Sequence, residues 1–68
     1  MTDVKITTPF IKLEQLLKLC GAADSGGHAK MMILQGEILA NGKACFIRGK
    51  KLYPGDVIEA GEEKYKII

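Results

Sequence analysis

The chain lacks the side-chain groupings that most enzymes use. No Ser/His/Asp set can be placed, and its single histidine, His28, has no evident orienting carboxylate. The string Asp24-Ser25-Gly26-Gly27-His28 invites a catalytic reading, but Ser25 is better explained as a helix cap. Cysteine is scarce: Cys20 and Cys45 lack CxxC spacing and, with one histidine, complete no metal set. Both are expected to be reduced, buried thiols, and neither a metal nor a cofactor is expected. No purely apolar run is longer than Met31-Met32-Ile33-Leu34, against roughly 20 residues for a membrane span. The N-terminus, Met1-Thr2-Asp3-Val4-Lys5, has no basic region followed by an apolar stretch. A cytoplasmic protein without a signal peptide is therefore expected. No GxxxxGK[ST] phosphate loop is present. The chain ends Tyr65-Lys66-Ile67-Ile68, without the Gly-Gly tail that a sulfur carrier needs for activation. The only aromatics, Phe10, Phe46, Tyr53 and Tyr65, are too few and too scattered for a sheet that stacks bases.

What is present is a chain of 68 residues, 47% of them hydrophobic, with no low-complexity segment. That length suits one domain and is too short for two. The composition argues against disorder. The net charge of +2 is modest, but its distribution is uneven. Residues 1–29 balance to zero. Residues 30–51 carry Lys30, Lys43, Arg48, Lys50 and Lys51 against Glu37 alone, a net +4. Residues 52–68 are net −2. A basic middle beside an acidic end is a weak electrostatic footprint for a polyanion.

The pattern predicts strand, helix, helix, then several strands, an α+β arrangement. Val4-Lys5-Ile6-Thr7 alternates as a short strand would. Leu13, Leu16, Leu17 and Cys20 make one apolar helical stripe, ended by Gly21. Asp24 or Ser25 can cap a second helix that buries Ala29, Met32 and Ile33 and stops at Gly36. Glu37–Ala40 and Lys43–Phe46 flank an Asn41-Gly42 hairpin turn. Tyr53-Pro54-Gly55-Asp56 is a second turn. Val57–Ala60 and Lys64–Ile67 form a last hairpin around Gly61-Glu62-Glu63. Gly26-Gly27 needs a reason, since glycine weakens a helix by about 1 kcal/mol relative to alanine. Either the first turn packs closely against the other helix, or a phosphate approaches its free N–H groups. Arg48-Gly49-Lys50-Lys51 is either a solvated charged loop or, with Lys43 and Lys30, a phosphate-contacting surface.

Taken in order, these pieces resemble the S4 domain, or alpha-L RNA-binding motif, named for a ribosomal protein. Lys12-Leu13-Glu14-Gln15-Leu16-Leu17 resembles its opening helix, and Gly21-Ala22-Ala23-Asp24-Ser25 its inter-helix turn. Ala29-Lys30 and Ile33 match its second helix. Gly36 through Lys43 matches its Gly, strand and Asn-Gly hairpin; Tyr53-Pro54-Gly55-Asp56-Val57-Ile58 matches its closing turn and strand. Residues 12–58 are covered. Ser25-Gly26-Gly27-His28-Ala29-Lys30 and Arg48-Gly49-Lys50-Lys51-Leu52-Tyr53 look like the small stand-alone bacterial YaaA/YbcJ-like subgroup, which extends the likeness to the full chain. Two positions depart from the common motif. Gly26 stands where an arginine is frequent, and Lys12 keeps the charge of an arginine without its bidentate geometry.

The resemblance implies an alpha-L fold: two short packed helices followed by a small, mostly antiparallel β-sheet. It implies a single RNA-binding domain over residues 1–68, monomeric, that recognises structured RNA (ribosomal, transfer or small RNA) through backbone and shape contacts. Carried over, the RNA-contacting positions are Lys12, Ser25, Gly26, Gly27, His28, Lys30 and Lys43. Arg48, Lys50 and Lys51 join them on electrostatic grounds. The alternative is a protein-interaction module on the same fold that does not bind RNA. A protein partner is open in either case, and no membrane partner is expected.

Overall fold

The computed structural model describes residues 1–68. Nine elements follow one another: β1 (Thr2–Val4), β2 (Ile11–Lys12), α1 (Leu13–Leu19), α2 (Gly26–Leu34), β3 (Ile38–Ala40), β4 (Lys43–Ala44), β5 (Lys51–Leu52), β6 (Val57–Ala60) and β7 (Glu63–Ile67). Five strands form one sheet in the order β1-β7-β6-β3-β4; β2 and β5 form a separate antiparallel pair. Only β1 with β7 is parallel. This is the α+β arrangement that the sequence pattern predicts, with two helices and a mostly antiparallel sheet.

The core follows from two periodicities. Leu13, Leu16 and Leu17 line the buried face of α1, and Cys20 continues that face half-buried. Ile38 and Ala40, Ile58 and Ala60, and Tyr65 and Ile67 alternate inward from three neighbouring strands. With Val4, Ala23, Ala29, Ile33, Cys45 and Leu52 they make one continuous cluster of 15 residues. A domain this size is stable by only about 3–10 kcal/mol. Leu16→Ala, at about 2–5 kcal/mol for a fully buried leucine, is therefore enough to threaten the whole fold. Helix α2 contributes less to the core. Only Ala29 and Ile33 are fully inside, Met32 is half-buried, and Met31 and Leu34 are exposed. The apolar run from 31 to 34 is thus split between core and surface.

The helix ends follow local chemistry. Ser25, not Asp24, caps α2: its Oγ accepts from the His28 N–H at 3.1 Å. At the other end Gly36 takes φ +77°, a left-handed conformation that suits glycine. Gly36 N–H then donates to the Ile33 carbonyl and Glu37 N–H to the Met32 carbonyl, closing a Schellman cap. Helix α1 starts less well. Lys12 occupies its N-cap position and has no side-chain acceptor to offer. Only the return half of a capping box exists, with the Lys12 N–H donating to Gln15 Oε1 at 3.2 Å.

Three strand boundaries depart from the sequence pattern. The first strand is Thr2–Val4 rather than residues 4–7, because pairing with β7 sets its register and Ile6 N–H donates instead to the Ile68 carbonyl. The return strand after Asn41-Gly42 shortens to Lys43–Ala44. Cys45 N–H still reaches the Ile38 carbonyl at 2.9 Å, and then Phe46 turns outward. The last hairpin turns on Gly61-Glu62 alone, since Ala60 pairs directly with Glu63. The Asn41-Gly42 turn is as expected, with both residues at positive φ (52° and 86°) between the paired Ala40 and Lys43. Asn41 also ties this turn to the Tyr53–Asp56 turn. Its Nδ2 donates to Asp56 Oδ1 (3.2 Å), and its Oδ1 accepts from the Val57 N–H (2.9 Å).

Candidate nucleic-acid interface

The basic segment is not a free loop. Its carbonyls close the start of α1: Leu13 N–H donates to Lys50 O (2.9 Å) and Glu14 N–H to Arg48 O (3.1 Å). These are donors that a helix leaves without intrahelical partners. Satisfying them pins residues 48–50 against α1. The next two residues pair as β5 with β2, which sets Lys51 directly opposite Lys12 and Leu52 opposite Ile11. Residues directly opposite share one face of a strand pair, and like charges there repel. Two exposed lysines are thus held side by side at the N-terminus of α1, with Arg48 and Lys50 adjoining.

Aromatic side chains support part of this cluster. The Lys51 ammonium lies 4.8 Å from the centroid of the Phe10 ring, within cation–π range. Phe10 in turn meets Tyr53, ring centroids 6.1 Å apart and tilted by 51°. Sequence reasoning missed these two rings. Their only signal is the β2–β5 register, which places residue 10 opposite 53, and two-residue strands are too short to read from a pattern.

Lys43, on β4, and Lys50 line one surface hollow with Phe46 and Ile47 between them. Phe46 also rests against Gly36, at the C-terminal end of α2. So Lys12, Lys43, Arg48, Lys50 and Lys51 are brought together. Ser25, Gly26, Gly27 and His28 form a second group at the N-terminus of α2, the opposite end of that helix from Phe46, with Lys30 one turn further along. No hydrogen bond joins the two groups.

The second group differs from the start of α1 in one respect: its donors are open. Ser25 Oγ takes the His28 N–H, whereas the N–H groups of Gly26 and Gly27 have no acceptor in the protein. Close packing does not explain these glycines. A Cβ on Gly26 would meet nothing within 4 Å, and one on Gly27 only Ser25 Oγ at 3.9 Å. Neither has a positive φ. His28 Nδ1 accepts from the Asp24 N–H at 3.1 Å, which assigns the proton of the neutral ring to Nε2. The Asp24 carboxylate lies 3.9 Å from Nδ1, too far for a hydrogen bond.

Charge pairing sharpens the picture. One ion pair exists, Lys64 with Glu59, and the Asp24 carboxylate stands near the neutral His28 ring. None of Lys12, Lys30, Lys43, Arg48, Lys50 and Lys51 has a carboxylate within 4.0 Å, and all six are exposed. Burial pushes the Tyr65 phenol above its ordinary value, and neighbouring Cys20 pushes it the same way. Both cysteines are free; Cys45 is buried and Cys20 half-buried. No three His, Cys, Asp or Glu side chains are placed to hold a metal ion. No helix is long and apolar enough to cross a membrane.

The chain has a curated relative in Bacillus subtilis (strain 168), the probable ribosome maturation protein RlbA. The two are 45% identical over 56 residues, 82% of this chain and 79% of the relative. The sequence profile of the S4 domain matches residues 4–68. With that match spanning nearly the whole chain, and a fold of two packed helices against a mostly antiparallel sheet, the protein belongs to the S4 domain family.

Proposed function

We propose that residues 1–68 act as one RNA-binding unit, centred on residues 12–58, that grips structured RNA through its phosphates and its shape. The observation that carries this is the set of six exposed cations with no carboxylate partner, five of them gathered around the start of α1. Solubility alone does not call for two lysines held directly opposite each other. Phosphates do, since each neutralised phosphate releases counterions. The open N-terminus of α2 adds a second contact. There Gly26 and Gly27 leave room for an oxygen to reach two free N–H groups, and Ser25, His28 and Lys30 flank it. Family membership supports RNA binding or ribosome association in general, and the Bacillus subtilis relative's name directs attention to ribosomal RNA. We infer a monomeric, cytoplasmic binding protein rather than an enzyme, because the site offers cations and backbone donors but no acid–base pair.

The exposed apolar side chains Met31, Leu34, Phe46 and Ile47 favour a second reading, a protein-docking module on the same fold. A salt titration separates the two. The purified protein is mixed with a structured ribosomal RNA fragment and, in parallel, a DNA duplex of equal length. Preference for RNA, with affinity falling steeply as salt rises, is the expected result. Absence of RNA binding at low salt would put the docking module first.

A further inference from the structure

The hollow beside the basic segment is shaped for more than a phosphate. After Ala44 the chain leaves the sheet edge to reach the start of α1, and a hollow of about 340 Å³ lies along that segment. Its lining includes Lys43, Ala44, Cys45, Phe46, Ile47 and Lys50, so it is mostly apolar, with two lysines and no carboxylate. Phe46 is backed by the chain at one side. Its ring packs on the bare backbone of Gly36, where a Cβ would come within 3.2 Å of the ring edge. The ring is nonetheless 57% exposed, and Ile47 beside it is 65% exposed. An aromatic ring backed by Gly36 and open on its other side, with two lysines free of carboxylate partners in the same lining, fits a flat apolar group bearing negative charge at its edges.

We propose that this hollow receives an unpaired RNA base, stacked on Phe46, with Lys43 and Lys50 holding the phosphates on either side. This rests on the RNA-binding reading above and specifies what that reading leaves open: a preference for RNA with an extrahelical nucleotide. The volume lies at the small end of ligand pockets, about 300–1,000 Å³. It suits one base and not a paired helix. A purely apolar peptide would use Phe46 and Ile47 but leave both lysines unmatched; a nucleotide uses all four. Stacking on an aromatic side chain is tolerant of base identity, so the hollow selects the unpaired state more than a sequence.

The test uses two RNA hairpins that differ only by one unpaired adenosine bulged from the stem. Each is bound by the full chain at fixed low salt. The wild type is expected to bind the bulged hairpin about tenfold more tightly. Phe46→Leu keeps an apolar side chain against Gly36 but loses the stacking face; it should lose that preference and bind the paired hairpin like the wild type. Ala44→Phe, which fills the hollow from another wall, should do the same, and thermal melting confirms that each variant is folded. Equal wild-type affinity for both hairpins overturns the base site and leaves RNA binding intact. So does a preference that survives both substitutions. Failure to bind either hairpin removes the RNA reading itself and leaves Phe46 and Ile47 to a protein partner.

Discussion

Replacing Gly26 and Gly27 with alanine separates stability from function in one protein. Both glycines lie in the first turn of α2, and neither needs glycine's conformational freedom. A new methyl at either position meets open space or, at 27, an ordinary contact with Ser25 Oγ. Alanine is favoured over glycine in a helix by about 0.8–1 kcal/mol, partly because the unfolded chain loses freedom. The first turn realises less than the full value. The double variant should therefore gain about 1–1.5 kcal/mol and melt roughly 5–10 °C higher. The same methyls would stand over the two N–H groups that have no acceptor within the protein. If a phosphate uses those donors, partial loss of one or two charge-assisted hydrogen bonds costs about 1–2 kcal/mol, or roughly 5- to 30-fold in affinity. The assays are thermal unfolding followed by circular dichroism, and RNA binding at one fixed salt concentration. A more stable variant with unchanged affinity would refute the reasoning, because it would leave the open end of α2 without a ligand.

Three further outcomes follow from the same geometry. Lys50→Glu with Lys51→Glu should weaken RNA binding tenfold or more and lower the salt slope by about 2, with the melting temperature little changed, since both side chains are exposed; full affinity in a folded variant would take the basic segment out of the site. Lys12→Ser should complete the capping box with Gln15 and remove the repulsion opposite Lys51, stabilising the fold by about 1 kcal/mol in denaturant titration, while RNA affinity falls and the salt slope drops by about 1. The phenol of Tyr65, raised by burial and by Cys20 above an ordinary value of 10.0, holds its proton longer in the folded than in the unfolded chain. Stability should therefore stay level below about pH 9 and fall as pH climbs through 10 and beyond, with Tyr65→Phe flattening that decline. A decline of equal size in Tyr65→Phe would assign it to another group.

The sequence made the long-period features legible and hid the short ones. The stripe of Leu13, Leu16, Leu17 and Cys20 spans two turns of helix, and Asn41-Gly42 and Pro54-Gly55 are turn chemistry that few other residues satisfy. These fix two helices, two turns and the strands between them. The β2–β5 pair is invisible by comparison, because two residues carry no period and the pairing spans some 40 positions of chain. Its consequence is the largest difference between pattern and structure: the carbonyls of Arg48 and Lys50 are clamped to the start of α1 and Lys51-Leu52 pairs as a strand, where the composition reads as a loop. The hollow at Phe46 was hidden for a related reason. Alternation carried the return strand on to residue 46, whereas the chain is drawn off the sheet by Arg48 and Lys50, whose carbonyls the Leu13 and Glu14 donors hold.

Three local choices in this chain run against stability, and they share a theme. A lysine stands at a helix N-cap, where serine or aspartate is preferred. That lysine faces another directly across a strand pair. Two glycines begin a helix in which alanine would fit. The fold offsets them only in part: the Lys50 and Arg48 carbonyls stand in for the missing cap and Phe10 faces Lys51, but Lys12 and Lys51 find no carboxylate and the free N–H groups of α2 find no acceptor. Meanwhile α1, whose first donors could also have served an anion, has them satisfied by the protein's own carbonyls. If unpaired charge were merely tolerated at the surface, it would not be expected to coincide with the poorest cap and the least helical turn. Where local rules fail together, function is the usual reason. A polyanion laid across the start of α1 and the start of α2 would supply a partner both for the facing lysines and for the free N–H groups of α2, which a generic charged surface does not.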